Sequence, residues 1–230
     1  MEEYDQHFIQ EMKNKLDVEL IGVASIERST SKELKERAAF LLPGVKSVVT
    51  VGKEIYKEVV VMLEPSKGVG EAERGELLKP HSDYLNGRLT KAIYDLAGLF
   101  RKEGYRSLPL SPGGCPTDQR SLTSLFSYKH AAELSGLGII GRHSLLITSQ
   151  YGPRVRLACL LTEIPLEASP PGHEDYCINC DACIRNCPSR ALEVPRQNEP
   201  YSMNKFACRT YRQAGLTCGV CMKVCDSVIG

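Results

Sequence analysis

A chain of 230 residues, 42% hydrophobic and 25% charged, is long enough for one or two packed domains and too apolar to be a disordered tail. Its formal net charge of +1 gives no electrostatic pull toward nucleic acid, and no apolar run reaches bilayer length, which argues against a membrane span. Ten cysteines behind an acidic N-terminal stretch without signal-peptide character place the chain in a reducing cytoplasm, where they read as metal ligands rather than disulfides.

Phe8, Ile9, Met12 and Leu16 recur at helical spacing and predict an N-terminal helix. Val18 to Ile26 reads as a strand, and Thr30-Ser31-Lys32-Glu33 as a capping box that opens a second helix ending at Pro43-Gly44. Ser47 to Gly52 is a β-branched run suited to a buried strand. Val59 to Leu63 reads as another, and the charged stretch Lys53 to Glu58 between them is placed outside the core. From Pro65 to Pro80 the chain is glycine-rich and charged but has neither a Walker pattern nor a full G-x-G-x-x-G, so it reads as a surface loop. His81 at its end reads as a surface or capping residue. Ser82 is the expected N-cap of a long helix with Leu85, Leu89, Ile93, Leu96 and Phe100 on one face, closed by Gly104. A strand from Arg106 to Leu110 leads into Ser111-Pro-Gly-Gly-Cys115-Pro, a bare, rigid loop whose thiol reads as structural.

Ser127 to Ser135 predicts a helix ending at Gly136. Gly136, Gly138 and Gly141 then form a G-x-G-x-x-G, which in a dinucleotide site must follow a strand and open a helix. Here a helix precedes it and a strand, Ser144 to Thr148, follows, so the Rossmann reading fails. Gln150 to Pro153 predicts a hairpin turn with Arg154 to Thr162 as the return strand. Alternation puts Arg154 and Arg156 on one face, where a bidentate grip on a carboxylate or phosphate and a solvated strand face explain them equally well. Pro165 to Gly172 reads as a linker.

The strongest signal follows it. Cys177, Cys180, Cys183 and Cys187-Pro188 form C-x2-C-x2-C-x3-C-P, the ferredoxin spacing for 4Fe-4S clusters, in which the fourth cysteine serves the neighbouring cluster. Cys208, Cys218, Cys221 and Cys225 complete the set. The expected partition is Cys177, Cys180, Cys183 and Cys225 around one cube, and Cys187, Cys208, Cys218 and Cys221 around the other. A zinc ribbon would leave half of these thiols surplus. A helix over Asn204 to Gln213 is expected to carry Cys208 inward.

Set before these cysteines, Ser127-Tyr-Lys-His-Ala-Ala132, Ser135-Gly-Leu-Gly138, Ile140-Gly-Arg-His-Ser-Leu-Leu-Ile-Thr148, Tyr151-Gly-Pro-Arg-Val-Arg-Leu157 and Leu160-Leu-Thr-Glu-Ile-Pro-Leu166 resemble the epoxyqueuosine reductase and reductive dehalogenase superfamily. The resemblance implies an α/β (α+β) chain: a nitroreductase-like corrinoid-binding domain over residues 1–165, then a bacterial-ferredoxin-like domain with two 4Fe-4S clusters over residues 166–230. It implies that Gly136, Gly138 and Gly141 lie against a base-off cobalamin, with Arg142, Tyr151, Arg154 and Arg156 among its contacts. The catalytic aspartate of the epoxyqueuosine reductases falls here near Leu122, where no acid stands, so Tyr128 is the substitute proton donor, with Lys129 and His130 beside it. Without a C-terminal helical-repeat extension, the resemblance disfavours a tRNA substrate. It points to a cytoplasmic reductase of a small molecule, supplied by a low-potential donor such as ferredoxin or flavodoxin. The competing reading is a ferredoxin-like carrier that activates a corrinoid protein and does no substrate chemistry itself.

Overall fold

The computed structural model describes residues 6–29, 31–63, 74–172, 176–196, 199–214 and 217–229. Its elements in chain order are α1 (Gln6–Lys15), β1 (Leu20–Ser25), α2 (Lys32–Leu41), β2 (Ser47–Glu54), α3 (Lys57–Val60), α4 (Leu78–Lys102), β3 (Ser107–Leu110), β4 (Thr117–Asp118), β5 (Thr123–Ser124), α5 (Tyr128–Leu134), β6 (Ile139–Ile140), β7 (Leu146–Ile147), β8 (Val155–Thr162), α6 (Ala182–Arg185), β9 (Leu192–Glu193), β10 (Ser202–Met203), α7 (Lys205–Gln213) and α8 (Val220–Ile229). The class is mixed α/β with small antiparallel sheets. Two compact units interleave along the chain. The first comprises Met1–Lys53, Asn86–Leu137 and Arg156–His173, and the second Glu54–Leu85, Gly138–Val155 and Glu174–Gly230.

The first unit is built on a four-stranded sheet in the order β1-β2-β8-β3, with β1 antiparallel to β2 and β3 antiparallel to β8. One face of it joins Val23, Val49, Val51, Ala158 and Leu160 to Ile9 and Met12 of α1 and to Leu89, Ile93, Leu96 and Phe100 of α4. The other face packs Ala24, Val48, Cys159 and Leu161 against Leu34 and Ala38 of α2 and Phe126 and Ala131 near α5. Covered on both faces, β2 and β8 lose the apolar-polar alternation of a half-solvated strand. Burying a Leu, Ile or Phe side chain in such layers contributes roughly 1.5–3 kcal/mol.

Several expectations change. Helix α2 is capped by Ser31, whose hydroxyl accepts the Leu34 N–H at 3.2 Å; Thr30, the first residue of the expected capping box, lies outside the described residues. Ser31→Ala should therefore cost about 1 kcal/mol, read as a lowered urea midpoint with an unchanged slope. Lys53, expected outside the core, is buried at the end of β2. Its ammonium donates to the Asp17 carbonyl at 2.8 Å and pairs with Glu19 at 2.9 Å, the pairing that a buried lysine requires.

Val59 to Leu63 is not a strand. Val60 and Leu63, three apart, share one apolar cluster with Ile55 and Leu85, and α3 with the turn that continues it, closed by the Leu63 N–H on the Val60 carbonyl at 3.0 Å, supplies that spacing. The long helix α4 begins at Leu78 rather than at Ser82, led in by a 3-10 turn over Arg74–Leu77. Pro80 stands in its first turn, where no N–H is needed. The glycine-rich stretch from Gly68 to Glu73 is outside the described residues. His81 Nε2 accepts the Tyr56 N–H at 3.1 Å, a capping role as expected.

The expected hairpin is also repartnered. Strand β7 pairs with β6, through Ile139 with Ile147 and Ile140 with Leu146, whereas β8 takes β3 as its antiparallel neighbour. Thr148 and Gly152 close their own tight turn by two backbone hydrogen bonds of 2.9 and 3.0 Å, and β8 departs from it as a central strand. Pro165 to Gly172 is no free linker: Ser169 exchanges two 3.0 Å bonds with Val23, and the Leu166 N–H reaches the Ser47 hydroxyl at 3.0 Å.

Candidate functional site

The eight cysteines of the ferredoxin pattern all fall in the second unit, on α6, α7, α8 and the loops before them. Asn179 and Asp181 take the left-handed backbone that short polar residues tolerate, with φ of 55° at each, and this curls the C-x2-C-x2-C loop into α6. Helix α6 packs on α8.

The electrostatics of the thiols reveal their neighbours. Burial pushes Cys225 up to about 12, and Cys183, Cys177, Cys180 and Cys221 add to the rise. Burial raises Cys183, with Cys177 and Cys180 contributing. Cys221 is pushed up to about 12 by burial and then by Cys218 and Cys208, with a smaller share from Cys183. Cys208 is raised by burial, and Cys218 and Cys187 add to it against the opposing charge of Arg212. Cys225 and Cys183 thus feel Cys177 and Cys180, Cys221 and Cys208 feel Cys218, Cys208 also feels Cys187, and Cys221 couples weakly to Cys183 and Cys225. Cys187 differs. Burial pushes it up, but the Ser189 hydroxyl and the amides of Ala191 and Leu192 outweigh that, so its thiolate is favoured; the Ala191 N–H donates to Sγ at 3.3 Å.

This donor chemistry fits two 4Fe-4S clusters, because crowded thiols that resist ionising alone are ionised by a cationic metal core. Among the described residues no three His, Cys, Asp or Glu side chains are gathered closely enough to hold a metal ion.

At the glycines expected to lie against a corrinoid, the Cβ direction is taken up by the chain's own atoms. Gly136, at φ 73°, lies so close to the Pro170 carbonyl that a Cβ would sit 2.0 Å from its oxygen. At Gly138 a Cβ would meet the Ile147 carbonyl oxygen at 2.1 Å, and at Gly141 the Ile147 side chain at 2.6 Å and the His143 ring at 2.9 Å. Backbone approach is the reason for glycine at all three, but the approaching atoms belong to this chain. Gly138→Ala should break the β6–β7 hairpin and be recovered largely insoluble, whereas Gly87→Ala, at a helical glycine whose Cβ would meet nothing within 4 Å, should fold normally.

The arginines are likewise committed. Arg154 is buried, with Nε donating to Asp226 at 2.6 Å and Nη1 reaching Glu54 and the Ile55 carbonyl. Arg156 grips the Asn86 amide oxygen with Nε and Nη2 at 3.0 and 2.8 Å, and Arg142 pairs with Asp181. The Tyr151 N–H donates to the Thr148 hydroxyl at 3.2 Å. An open groove of about 410 Å³, lined by Tyr94, Ala97, Gly98, Arg101, Lys102 and Pro109, involves none of the candidate residues.

In the first unit, the Tyr128 hydroxyl donates to the Ser111 carbonyl at 2.8 Å, and burial raises its pKa, with Cys159 and Cys115 adding to the rise. His130 meets the Ser127 hydroxyl at 2.7 Å; burial and then Lys129 lower its pKa against Glu33, so it is neutral at pH 7. Glu54, Asp181 and Asp226 were not among the residues singled out from sequence, although Asp181 stands inside the cysteine motif and Asp226 directly follows its last cysteine.

No family model matches the chain. Over 155 residues it is 34% identical to the epoxyqueuosine reductase of Gloeobacter violaceus, covering 67% of this chain and 44% of that protein. It is 36% identical over 112 residues to the tetrachloroethene reductive dehalogenase of Sulfurospirillum multivorans, covering 42% of this chain and 22% of that one. The structure of a catabolic reductive dehalogenase superposes with a TM-score of 0.71 over 97% of this chain and 32% of the other, at 19% identity. The chain is a homologue of the epoxyqueuosine reductases and the reductive dehalogenases.

These homologues are reductases. The chain spans less than half the length of these curated relatives. One reductive dehalogenase of this fold is described as B12-dependent (TM-score 0.68, 19% identity, 97% of this chain and 32% of that one). An epoxyqueuosine reductase has been solved with a tRNA stem loop (TM-score 0.50, 20% identity, 80% of this chain and 52% of that one). Among the described residues no helix is long and apolar enough to cross a membrane. No acid stands at Leu122, which turns the β4–β5 hairpin at φ 51°. The nearby Asp118 is held by Arg120 through both side-chain oxygens, at 3.1 Å each, which keeps its carboxyl below the usual range.

Proposed function

We propose that this chain is a cytoplasmic iron-sulfur oxidoreductase with two 4Fe-4S clusters, one on Cys177, Cys180, Cys183 and Cys225 and the other on Cys187, Cys208, Cys218 and Cys221, serving the cobalamin-dependent reduction of a small molecule. The two homologous families use 4Fe-4S clusters and cobalamin. In this reading residues 1–165 correspond to the nitroreductase-like domain and residues 166–230 to the ferredoxin-like one. A ferredoxin or flavodoxin is the electron donor. The observation that carries the reading is the C-x2-C-x2-C-x3-C-P spacing on α6 and its loop, with α8 and its cysteines packed against that helix.

When bound, the clusters pass single electrons, and a corrinoid carries out the reduction itself. The chain's own part is more specific. Cys187 supplies a thiolate already favoured by hydrogen bonds, while the burial of Cys183 and Cys221 limits the access of water to their sulfurs. Tyr128 is the proposed proton donor, with Lys129 and His130 beside it; because its hydroxyl is spent on Ser111, delivery requires that bond to break.

A second reading is a carrier or activator that passes electrons to a separate corrinoid protein, supported by Gly136, Gly138 and Gly141 serving close approach within the chain. Anaerobic reconstitution with iron, sulfide and cobalamin, followed by gel filtration and a visible spectrum, separates the two. Corrinoid bands retained at one per chain support the reductase. Their loss from protein that keeps its iron-sulfur absorbance rules out a resident corrinoid and leaves the carrier.

A further inference from the structure

Arg142 falls in the turn between β6 and β7, and its guanidinium donates to Asp181, the left-handed residue between Cys180 and Cys183. Both side chains are about three-quarters withdrawn from solvent, with relative exposures of 21% and 28%, which weakens screening. The position of Arg142 is fixed locally. Just before it, the Gly141 N–H bonds the Leu145 carbonyl at 3.0 Å and the Ser144 N–H bonds the Gly141 carbonyl at 2.8 Å, so the turn that carries Arg142 is tied at both ends. Asp181 is fixed too, since its carbonyl accepts the N–H groups of Ile184 and Arg185 at the start of α6. Beyond Asp181, the guanidinium senses the thiols of Cys177 and Cys183.

We infer that Arg142, held by Asp181, is a positioning residue that tunes the cluster of Cys177, Cys180, Cys183 and Cys225: it orders the C-x2-C-x2-C loop and holds a fixed positive charge beside that cluster and not beside the second. This rests on the proposed cluster assignment and moves Arg142 from the corrinoid to the iron-sulfur site. Reduction adds an electron to the cluster, and a neighbouring positive charge stabilises the reduced state, so Arg142 raises the reduction potential of one cluster alone.

The test is an EPR-monitored redox titration of anaerobically reconstituted wild-type protein, Arg142→Gln, Arg142→Lys and Asp181→Asn, with iron and sulfide measured in each. Arg142→Gln should lower the reduced-to-oxidised ratio of the first cluster about tenfold at fixed poise, equivalent to ~59 mV for a one-electron couple, and leave the second unmoved. Arg142→Lys should restore most of the shift. Asp181→Asn, which removes a negative charge, should move the same cluster in the opposite direction. Equal shifts of both clusters, no shift in Arg142→Gln, or downward shifts in both Arg142→Gln and Asp181→Asn would overturn the inference, because loosening of the loop has no preferred sign. If Arg142→Gln fails to assemble, the sign in Asp181→Asn decides alone. Wild-type protein without iron and sulfide would instead overturn the cluster assignment on which the inference stands.

Discussion

Cys187→Ala should lose the cluster of Cys208, Cys218 and Cys221 and keep the other. Although Cys187 stands four residues after Cys183, its thiol is sensed by Cys208, whereas Cys225, far along the chain, senses Cys177, Cys180 and Cys183. The topology supports the proposed crossing, since α6 packs on α8 and so sets Cys225 near the first cysteine loop. The variant should hold about four irons instead of about eight, with the EPR signal of the remaining cube still present. Cys225→Ala should give the complementary loss. If Cys187→Ala removed the cube of Cys177, Cys180 and Cys183 while sparing the other, the crossed assignment would be wrong. Since the ligands also cross-link the fold, circular dichroism must show that each variant remains folded.

Arg154→Leu should destabilise the second unit by roughly 3–5 kcal/mol, the cost of leaving a buried ion pair with one partner. Arg154 binds Asp226 through Nε, and Glu54 and the Ile55 carbonyl through Nη1, while Asp226, the residue after Cys225, is itself buried. Removing the arginine strands a carboxylate in α8 beside a cluster ligand. The double variant Arg154→Leu with Asp226→Leu should recover much of the loss, since an apolar pair of similar volume fills the site without desolvating charge. Anaerobic urea unfolding of both variants, followed by cluster absorbance and circular dichroism together, measures this. A single variant as stable as wild type would show that solvent reaches Asp226.

How legible these features were depended on how local their causes are. The cysteine spacing points to a ligand set because three sulfurs within seven residues match one cube. The helix over Gln6–Lys15 and the strands over Leu20–Ser25 and Ser47–Glu54 follow from their own side chains. Val59 to Leu63 misled because a five-residue apolar run suits strand and helix alike until Val60 and Leu63 find a shared cluster. The hairpin from Ser144 to Thr162 misled because adjacency in sequence suggested a pairing that the sheet assigns to β3 and β8. Glycine reveals where a Cβ is forbidden, not what forbids it, and at Gly136 and Gly138 the answers are the carbonyls of Pro170 and Ile147. Arg154 could have gripped any carboxylate; only folding identified Glu54 and Asp226.

The central claim is that eight cysteines hold two cubes that feed one electron at a time. Its most direct test is iron and acid-labile sulfide per chain after anaerobic reconstitution, with EPR of the dithionite-reduced protein. The account predicts about eight of each per chain, with a reduced spectrum broadened by two interacting clusters. One or two zinc ions per chain with no labile sulfide and no EPR signal would contradict it.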